Sequence, residues 1–406
     1  MSVLYVSHGH PDFAKGGGEL AAWRLFEAFR SKPGFEGSGF LASASSPDQL
    51  PAGSEVLGLG PDEWLIKRSP NPFFHDSAVN LSCGGQLHQA LLGRHFKIIH
   101  FHHYLHVGID LVLALKRWFP RSILILTLHD YWGPCAYEGR LLRSSGELCE
   151  GGDPVSCNQC LGGDRRGELA IRAQRLHRLF GAIDHFLSPS HFLKHQYLSW
   201  GTDSQCISVI ENLPAPSAHP LLSASDSLMH RDHKLPLVIG YFGQVNPWKG
   251  LPLLIEAVGL LRSDNVDVRL EVNGAQADDF AKIPYGVVFN GSYEPEDLQR
   301  RMERVHVVAM ASTWYENSPM VIQEAFQYGR PVIAPNLGGM AEKVQHEFSG
   351  LLFEVGSARS ISSQVRRLVE EDCLLVKLYA NIAHANENRI DEFACHQKIY
   401  AQLLSV

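Results

Sequence analysis

Two acids, Glu316 and Glu324, frame a turn with seven residues between them. They sit in the stretch His306–Gly339, HVVAMASTWYENSPMVIQEAFQYGRPVIAPNLGG. Eight helical steps would set the carboxylates roughly 12 Å apart along an axis. A retaining glycosidase needs its pair about 5–5.5 Å apart. Glu316 falls in a loop, which leaves the separation open, but two acids so placed suit the two ends of one extended ligand better than one scissile bond. Ser318 reads as the N-cap of the helix that follows, with Pro319 at its first position. The amides of Met320 and Val321 then point out unpaired, which makes an anion site.

Other polar residues stand at the ends of apolar runs. Lys249-Gly250 opens a helix after the run LVIGYF and the loop Gly243–Trp248. Gly16, Gly17 and Gly18 follow the run Val3–Val6 and let backbone come close to a ligand. His102, His103 and His106 follow Lys97–Phe101, with no carboxylate or cysteine nearby in sequence to complete a metal set. His129 ends the run Ile123–Leu128, where a neutral imidazole could hydrogen-bond a hydroxyl. Cys135, Cys149, Cys157 and Cys160 form a separate group, the last two as Cys-Asn-Gln-Cys. Four thiolates close a tetrahedral zinc site. A structural zinc and reduced thiols in a packed loop both fit this spacing.

The elements that position these groups alternate. Short apolar runs are read as buried parallel strands, each followed by a helical pattern. Strands are expected at Val3–Val6, Lys97–Phe101, Ile123–Leu128, Phe186–Ser190 and Ile207–Glu211. A second series is expected at 237–242, Val268–Asn273, Val287–Asn290, Val305–Met310, Pro331–Ala334 and Gly350–Phe353. Gly338-Gly339 reads as a loop, and the chain turns helical from Ser357 onward. Ala215–Leu235, rich in Pro, Ser, Ala and His, reads as a linker. Residues 31–95 give no clear pattern beyond a helix near Leu87–Leu92. Arg165–Arg178 forms a basic amphipathic helix with five arginines. That helix suits an anionic membrane, an acidic acceptor or a solvated face.

The stretch around Glu316 resembles the signature of the retaining, nucleotide-sugar-dependent glycosyltransferases of GT-B architecture, family four. The resemblance rests on Glu316, Glu324, Gly329–Ala334 and Gly338-Gly339, and extends to Lys249-Gly250, His129 and, loosely, Gly17-Gly18-Glu19. It implies an α/β fold of two Rossmann-like domains facing a central cleft. The expected bounds are 1–212, a linker at 213–235, 236–387, and a helix at 388–406 crossing back to the first domain; an insertion at about 131–165 bears the cysteines. The resemblance further implies a nucleoside-diphosphate sugar donor and a glycan or lipid-linked acceptor hydroxyl. Lys249, Glu316 and His129 take the catalytic positions. Gly17, Gly18, Gln244, Asn317, Ser318, Met320, Val321 and Glu324 take donor-binding ones, with Glu316 meeting the donor sugar and Glu324 the ribose. One departure stands out: the family carries an arginine where this chain has Gln244, and an amide cannot neutralise a phosphate. Either another basic group assists, or Lys249 and the helix terminus act alone.

The 406 residues carry a net charge of −7, which argues against a nucleic-acid-binding surface. No apolar run approaches the roughly 18 residues of a membrane span, and the N-terminus lacks a basic segment followed by an apolar one. The chain is expected in the cytoplasm, with peripheral contact at the inner face of a membrane as the variant. Eight cysteines without a leader suit reduced thiols or metal ligands. No Asp-x-Asp cluster implies a catalytic metal. Two rivals to sugar transfer remain: another enzyme on the same architecture, such as a nucleotide-sugar epimerase or phosphorylase, and a catalytically weak binding protein.

Overall fold

The computed structural model describes residues 1–14, 16–203, 206–212, 214, 235–276, 284–371, 373–387 and 391–405. The linker expected at 213–235 lies almost wholly outside the described residues. The chain divides into two compact units, Met1–Asn212 with Asp391–Val406, and Leu213–Ile390.

The first unit is built on β1 (Val3–Ser7), β2 (Gly39–Ser43), β3 (Val56–Gly60), β4 (Glu63–Ile66), β5 (Ile98–Phe101), β6 (Ile123–Thr127), β7 (His185–Ser188) and β8 (Ile207–Val209). They form one sheet in the order β3-β4-β2-β1-β5-β6-β7-β8. Only β3 and β4 pair antiparallel. β1, β2 and β5 are buried along their whole length, as parallel strands covered on both faces must be. The helix Gly17–Arg30 lays Ala22, Leu25, Phe26 and Phe29 on this sheet at helical spacing. Gly17 and Gly18 therefore lie in a helix's first turn, and only Gly16, in extended conformation, precedes it. Residues 31–95, unreadable from sequence, supply β2, β3, β4 and the helix Gln86–Ala90.

The helix Glu392–Leu404 belongs to this unit. Its Tyr400 is fully buried in the core beside Phe29, ring centroids 5.7 Å apart. His100 on β5 ties it in, with Nδ1 2.7 Å from the Tyr400 hydroxyl and Nε2 2.7 Å from Thr127 Oγ1. Burial holds His100 well below the usual imidazole range, and holds His396 at about 4 and His75 at about 3. Free imidazoles titrate near ~6.5 in the unfolded chain. Below that pH the unfolded state binds more protons than the native one, so stability is full above it and falls as pH drops toward the native values. Each such imidazole removes about 1.4 kcal/mol per pH unit in that window. Thermal melting midpoints should therefore fall steadily from pH 7 to pH 5; a flat profile would contradict the neutral, buried histidines.

The second unit is a six-stranded sheet, all parallel, in the order β11-β10-β9-β12-β13-β14. Its strands are β9 (Leu237–Phe242), β10 (Val268–Asn273), β11 (Val287–Phe289), β12 (Val307–Ala309), β13 (Val332–Pro335) and β14 (Gly350–Phe353). One face carries Leu254, Val258 and Leu261 of the helix Leu251–Ser263 with Ile361 and Val365 of the helix Ala358–Glu370. The other carries Ile322 and Ala325 with Met340 and Val344. Gly338-Gly339, expected as a loop, opens the short helix Gly338–Lys343.

Candidate active site

In an open parallel sheet, ligands bind beyond the carboxyl ends of the strands where the strand order reverses. In the second unit that point lies between β9 and β12, which are neighbours although β10 and β11 intervene in sequence. The two loops leaving it are stitched together: the Thr313 amide donates to the Trp248 carbonyl at 2.8 Å. Gly250 makes the approach feasible. Its φ is +67°, and a Cβ there would lie 1.9 Å from the Ala311 carbonyl oxygen, so no other residue fits unchanged. Asn246 Oδ1 accepts from the Trp248 and Lys249 amides at 2.9 and 3.0 Å, which fixes the turn that aims Lys249.

Lys249 and Glu316 meet there. Lys249 Nζ lies 2.6 Å from Glu316 Oε1, and the same oxygen accepts from Ser312 Oγ at 2.8 Å and Trp314 Nε1 at 2.9 Å. The Glu316 side chain is only 11% exposed against 29% for Lys249, so the carboxylate is a fixed anchor and the ammonium keeps a face to solvent. Behind the loop the Gly339 amide donates to the Glu316 carbonyl at 3.1 Å. A Cβ at Gly339 would lie 2.2 Å from the Asn317 carbonyl oxygen, the close packing that this glycine permits.

The helix carrying Glu324 runs Met320–Gln327 and starts one residue later than the sequence suggests. Pro319 is its N-cap, with ψ at +116°, and Ser318 makes no cap bond. The proline's extended ψ holds it outside the helix and turns Ser318 inward. Ser318 Oγ is instead buried without a hydrogen-bond partner. The first helical bond runs from the Ile322 amide to the Pro319 carbonyl at 3.2 Å, leaving the amides of Met320 and Val321 ahead of it. Glu324 is half-buried one turn on. Burial, with the Glu324 carboxylate adding to it, pushes the Tyr293 hydroxyl up to about 12. Tyr293 belongs to the loop beyond β11, which Arg301 braces: its Nη1 donates to Asn273 Oδ1 at 3.0 Å and to the Asn290 and Gly291 carbonyls at 3.1 Å. Gln244 is exposed on the loop after β9, its carbonyl accepting from the Tyr241 hydroxyl at 3.0 Å.

In the first unit the order reverses between β1 and β5. His8 follows β1, and its Nε2 lies 3.0 Å from Glu19 Oε1 in the first turn of Gly17–Arg30. Gly18 is the close neighbour of two imidazoles: a Cβ there would stand 3.4 Å from His8 Cε1 and 3.5 Å from His129 Cγ. Gly17 faces open space. His102 and His129 stack with ring centroids 5.4 Å apart, His102 Nδ1 3.1 Å from His129 Nε2. Burial, then the neighbouring His103 and His8, bring His129 down to about 3, so it is a neutral hydrogen-bonding group at ordinary pH. His103 Nε2 bonds Asp130 Oδ2. Burial raises Asp130, but His103, the Trp132 amide and His8 together more than offset it, so the carboxylate lies below its usual range. Asp130 and Glu19, far from His103 in sequence, both stand near it in space. His106 bonds Arg68 Nη2 at 2.5 Å instead.

His8, Ser312 and Trp314 join the site without belonging to any motif in the sequence. The available signal was position: each lies just past the carboxyl end of a strand at a reversal point. The basic helix, observed at Arg166–Phe180, is largely spent on structure. Arg172 is buried and donates to the Trp132 and Gly133 carbonyls, and Arg175 pairs with Asp76 and Asp110 at 2.8 and 3.0 Å. Arg165 pairs with Glu168 at 2.5 Å and Arg166 with Asp164 at 2.9 Å. No helix among the described residues is long and apolar enough to cross a membrane. Cys135, Cys149, Cys157 and Cys160 line one cavity. Among the described residues no three His, Cys, Asp or Glu side chains stand in metal-holding geometry.

Comparison with known proteins agrees with this architecture. Residues 16–213 match the family described as Glycosyltransferase Family 4, and residues 236–371 match Glycosyl transferases group 1. A phosphatidyl-myo-inositol mannosyltransferase of Propionibacterium freudenreichii is 27% identical over 155 residues, 38% of this chain and 39% of that protein. The amylovoran biosynthesis glycosyltransferase AmsK of Erwinia amylovora is 24% identical over 227 residues, 52% of this chain and 54% of its own. The chain thus spans between 39% and 54% of the length of these relatives. HepE of Anabaena, solved in complex with UDP, superposes with a TM-score of 0.66 at 18% identity, covering 100% of both chains. Two α/β units with parallel Rossmann-like sheets, and family matches over both, place the chain among the group 1 glycosyltransferases of GT-B architecture.

Proposed function

We propose that this protein transfers a hexosyl or related sugar from a nucleoside-diphosphate sugar to an acceptor hydroxyl, with retention at the anomeric carbon. The observation that carries this reading is the Lys249–Glu316 contact of 2.6 Å beside the helix start at Met320. A cation anchored by a carboxylate, next to outward-facing amides, is built to receive a dianion that gains charge. As the bond from the anomeric carbon to the diphosphate breaks, negative charge grows on the leaving oxygen, where Lys249 and the amides of Met320 and Val321 stabilise it. The acceptor oxygen bonds the same carbon on the same face, and its proton passes to the departing diphosphate. No side chain serves as nucleophile, and no catalytic metal is required. Glu316 orients the sugar, with Asn317 and Ser318 in the same loop. Glu324, beside Tyr293, takes the ribose hydroxyls. Gly17 and Gly18 give the donor close access to the first unit's backbone, and Gln244 contributes an amide but no charge.

In the first unit, neutral His129 meets a hydroxyl of the transferred sugar. The acceptor is a glycan or lipid-linked hydroxyl, and the names of the two curated relatives support that class. The HepE complex with UDP, and its complex with UDP-glucose, support a nucleotide-sugar donor.

The test is a panel of nucleotide sugars incubated with purified protein and candidate acceptors, read by nucleoside-diphosphate release and by the anomeric configuration of the product. An inverted product would overturn the retaining mechanism. Gln244 favours a second reading, a binding protein with weak turnover; tight donor binding with no release of diphosphate would select it. Glu324→Ala should weaken nucleoside-diphosphate binding by about 10- to 150-fold, since losing a hydrogen bond to a charged group costs about 1.5–3 kcal/mol. Calorimetric titration checks it, and unchanged affinity would remove Glu324 from the ribose.

A further inference from the structure

In the second unit the carboxyl ends of β9, β10 and β11 are laced together. The Gly243 amide donates to the Asn273 carbonyl at 3.0 Å, and the Gly274 amide to the Gly291 carbonyl at 2.9 Å. Gly274 permits the crossing: its φ is +101°, and a Cβ there would stand 2.5 Å from the Gly243 carbonyl oxygen. The loop that leaves β11 then folds around one guanidinium. Arg301, on the short helix Leu298–Met302, donates through Nη1 to Asn273 Oδ1 at 3.0 Å and to the Asn290 and Gly291 carbonyls at 3.1 Å. Its Nη2 donates to the Ser292 carbonyl at 2.8 Å, and its Cζ stands 5.1 Å from the centroid of the Tyr293 ring. Asn273 is fully buried and held in place, its Nδ2 donating to the Tyr241 and Glu271 carbonyls at 3.3 and 3.4 Å.

Three successive carbonyls, those of Asn290, Gly291 and Ser292, thus face the guanidinium. Across a planar trans peptide the N–H points opposite to the C=O. The amides of Gly291, Ser292 and Tyr293 therefore point away from Arg301. None of the three donates to any group among the described residues. Each peptide brings one donor and one acceptor, and here the acceptors are occupied while the donors are not. The loop also lies against the helix that carries Glu324. Tyr293 packs on Phe242, ring centroids 6.1 Å apart, and joins the apolar cluster that holds Val321 and Ile322 of Met320–Gln327.

We propose that the amides of Gly291, Ser292 and Tyr293 read the base of the donor nucleotide at its edge remote from the ribose, and that Arg301 is the positioning residue that turns them outward. The proposal rests on the reading of Glu324 as the ribose partner, which sets the base beside this loop. Uracil and guanine carry a carbonyl oxygen at that edge, whereas cytosine and adenine carry an amino group. A row of N–H donors pairs with the oxygen and meets the amino group donor against donor. The loop therefore selects a keto base over the matching amino base, because the wrong base leaves polar groups unpaired. Arg301 acts on this choice only through the three carbonyls that it holds.

Calorimetric titration of the full chain with UDP, CDP, GDP, ADP and inorganic pyrophosphate tests it. Wild-type protein is expected to bind UDP over CDP, or GDP over ADP, by about tenfold or more. Arg301→Met should bring that ratio to within about threefold of unity and leave pyrophosphate binding unchanged. Arg301→Lys keeps a charge but cannot fork over several carbonyls, so it should behave like Arg301→Met. Arg300→Met, on the same helix with a side chain 69% exposed, should keep the wild-type ratio. A brace with no part in recognition would weaken all four nucleotides alike, so a ratio that survives in either folded Arg301 variant overturns the proposal. A wild-type preference for CDP or ADP overturns it too. If neither Arg301 variant folds, 4-thio-UDP and 6-thio-GDP on wild-type protein decide, since sulfur is a poor acceptor: weaker binding than the parent nucleotide supports the proposal, and equal binding overturns it. Wild-type protein that binds none of the four would overturn the nucleotide-sugar reading itself and this proposal with it, whereas the other contrary results leave that reading standing.

Discussion

Lys249→Ala is expected to lower turnover by roughly 10²–10³, the loss seen when one preorganised group facing a developing anion is removed. The side chain sits at the reversal point of the second sheet, held 2.6 Å from Glu316 Oε1, and the position of the resembled family's arginine is filled by Gln244. Of the two motif positions that carry cations in that family, this chain keeps one as Lys249 and fills the other with an uncharged amide. The loss should fall on kcat more than on donor affinity, because the charge that Lys249 meets grows as the bond breaks. Gln244→Arg, on an exposed loop position, should be tolerated and should tighten nucleoside-diphosphate binding. Steady-state kinetics with one identified donor checks both. A Lys249→Ala enzyme within threefold of wild type would place the phosphate clamp elsewhere.

Glu316→Gln is expected to act in the opposite sense on binding and in the same sense on turnover. Three donors converge on Glu316 Oε1, and an amide oxygen can still accept them, so the loop should keep its shape. What disappears is the negative charge beside Lys249. The ammonium is then free to bind the diphosphate in the ground state, which tightens donor binding. It is also no longer held toward the position where charge develops, and the sugar loses a charged partner. Turnover should fall by about 10². Because the two side chains share one contact, their effects cannot be independent. The double variant Lys249→Ala/Glu316→Gln should be slower than Lys249→Ala by less than the full factor that Glu316→Gln costs alone. Multiplicative losses in that cycle would mean that the ion pair is incidental.

The strands were legible because buried parallel strands are runs of apolar residues: LVIGYF became Leu237–Phe242, and Val305–Met310 shortened to Val307–Ala309. The edge pair β3 and β4 was not, because glycines and a half-exposed face leave Val56–Gly60 without a clear period. Within the site, Glu316 and Glu324 could be read from one local stretch. The pairing of Glu316 with Lys249 could not, since 67 positions separate them and only the adjacency of β9 with β12 brings them together. The same holds for Asp130, which reaches His103 across 27 positions through the parallel pairing of β5 with β6. The cap at Ser318 failed for a local reason. Proline can open a helix, but here its extended ψ made it the cap and turned the serine inward.

The placement of Glu392–Leu404 bears on how the chain is made. Residues that complete the first unit's core are separated from the rest of that unit by the whole of Leu213–Ile390. During synthesis the eight-stranded sheet emerges early, yet Tyr400 is still to be translated, and His100 and Phe29 must wait for it. The second unit has no such debt and is free to consolidate first. A fragment ending at Asn212 would keep every strand of the first sheet and expose an apolar scar around Phe29, with His100 Nδ1 unsatisfied. Dissection of this protein into two independent halves therefore calls for a circular permutation or a peptide supplied in trans, rather than a simple cut at the boundary.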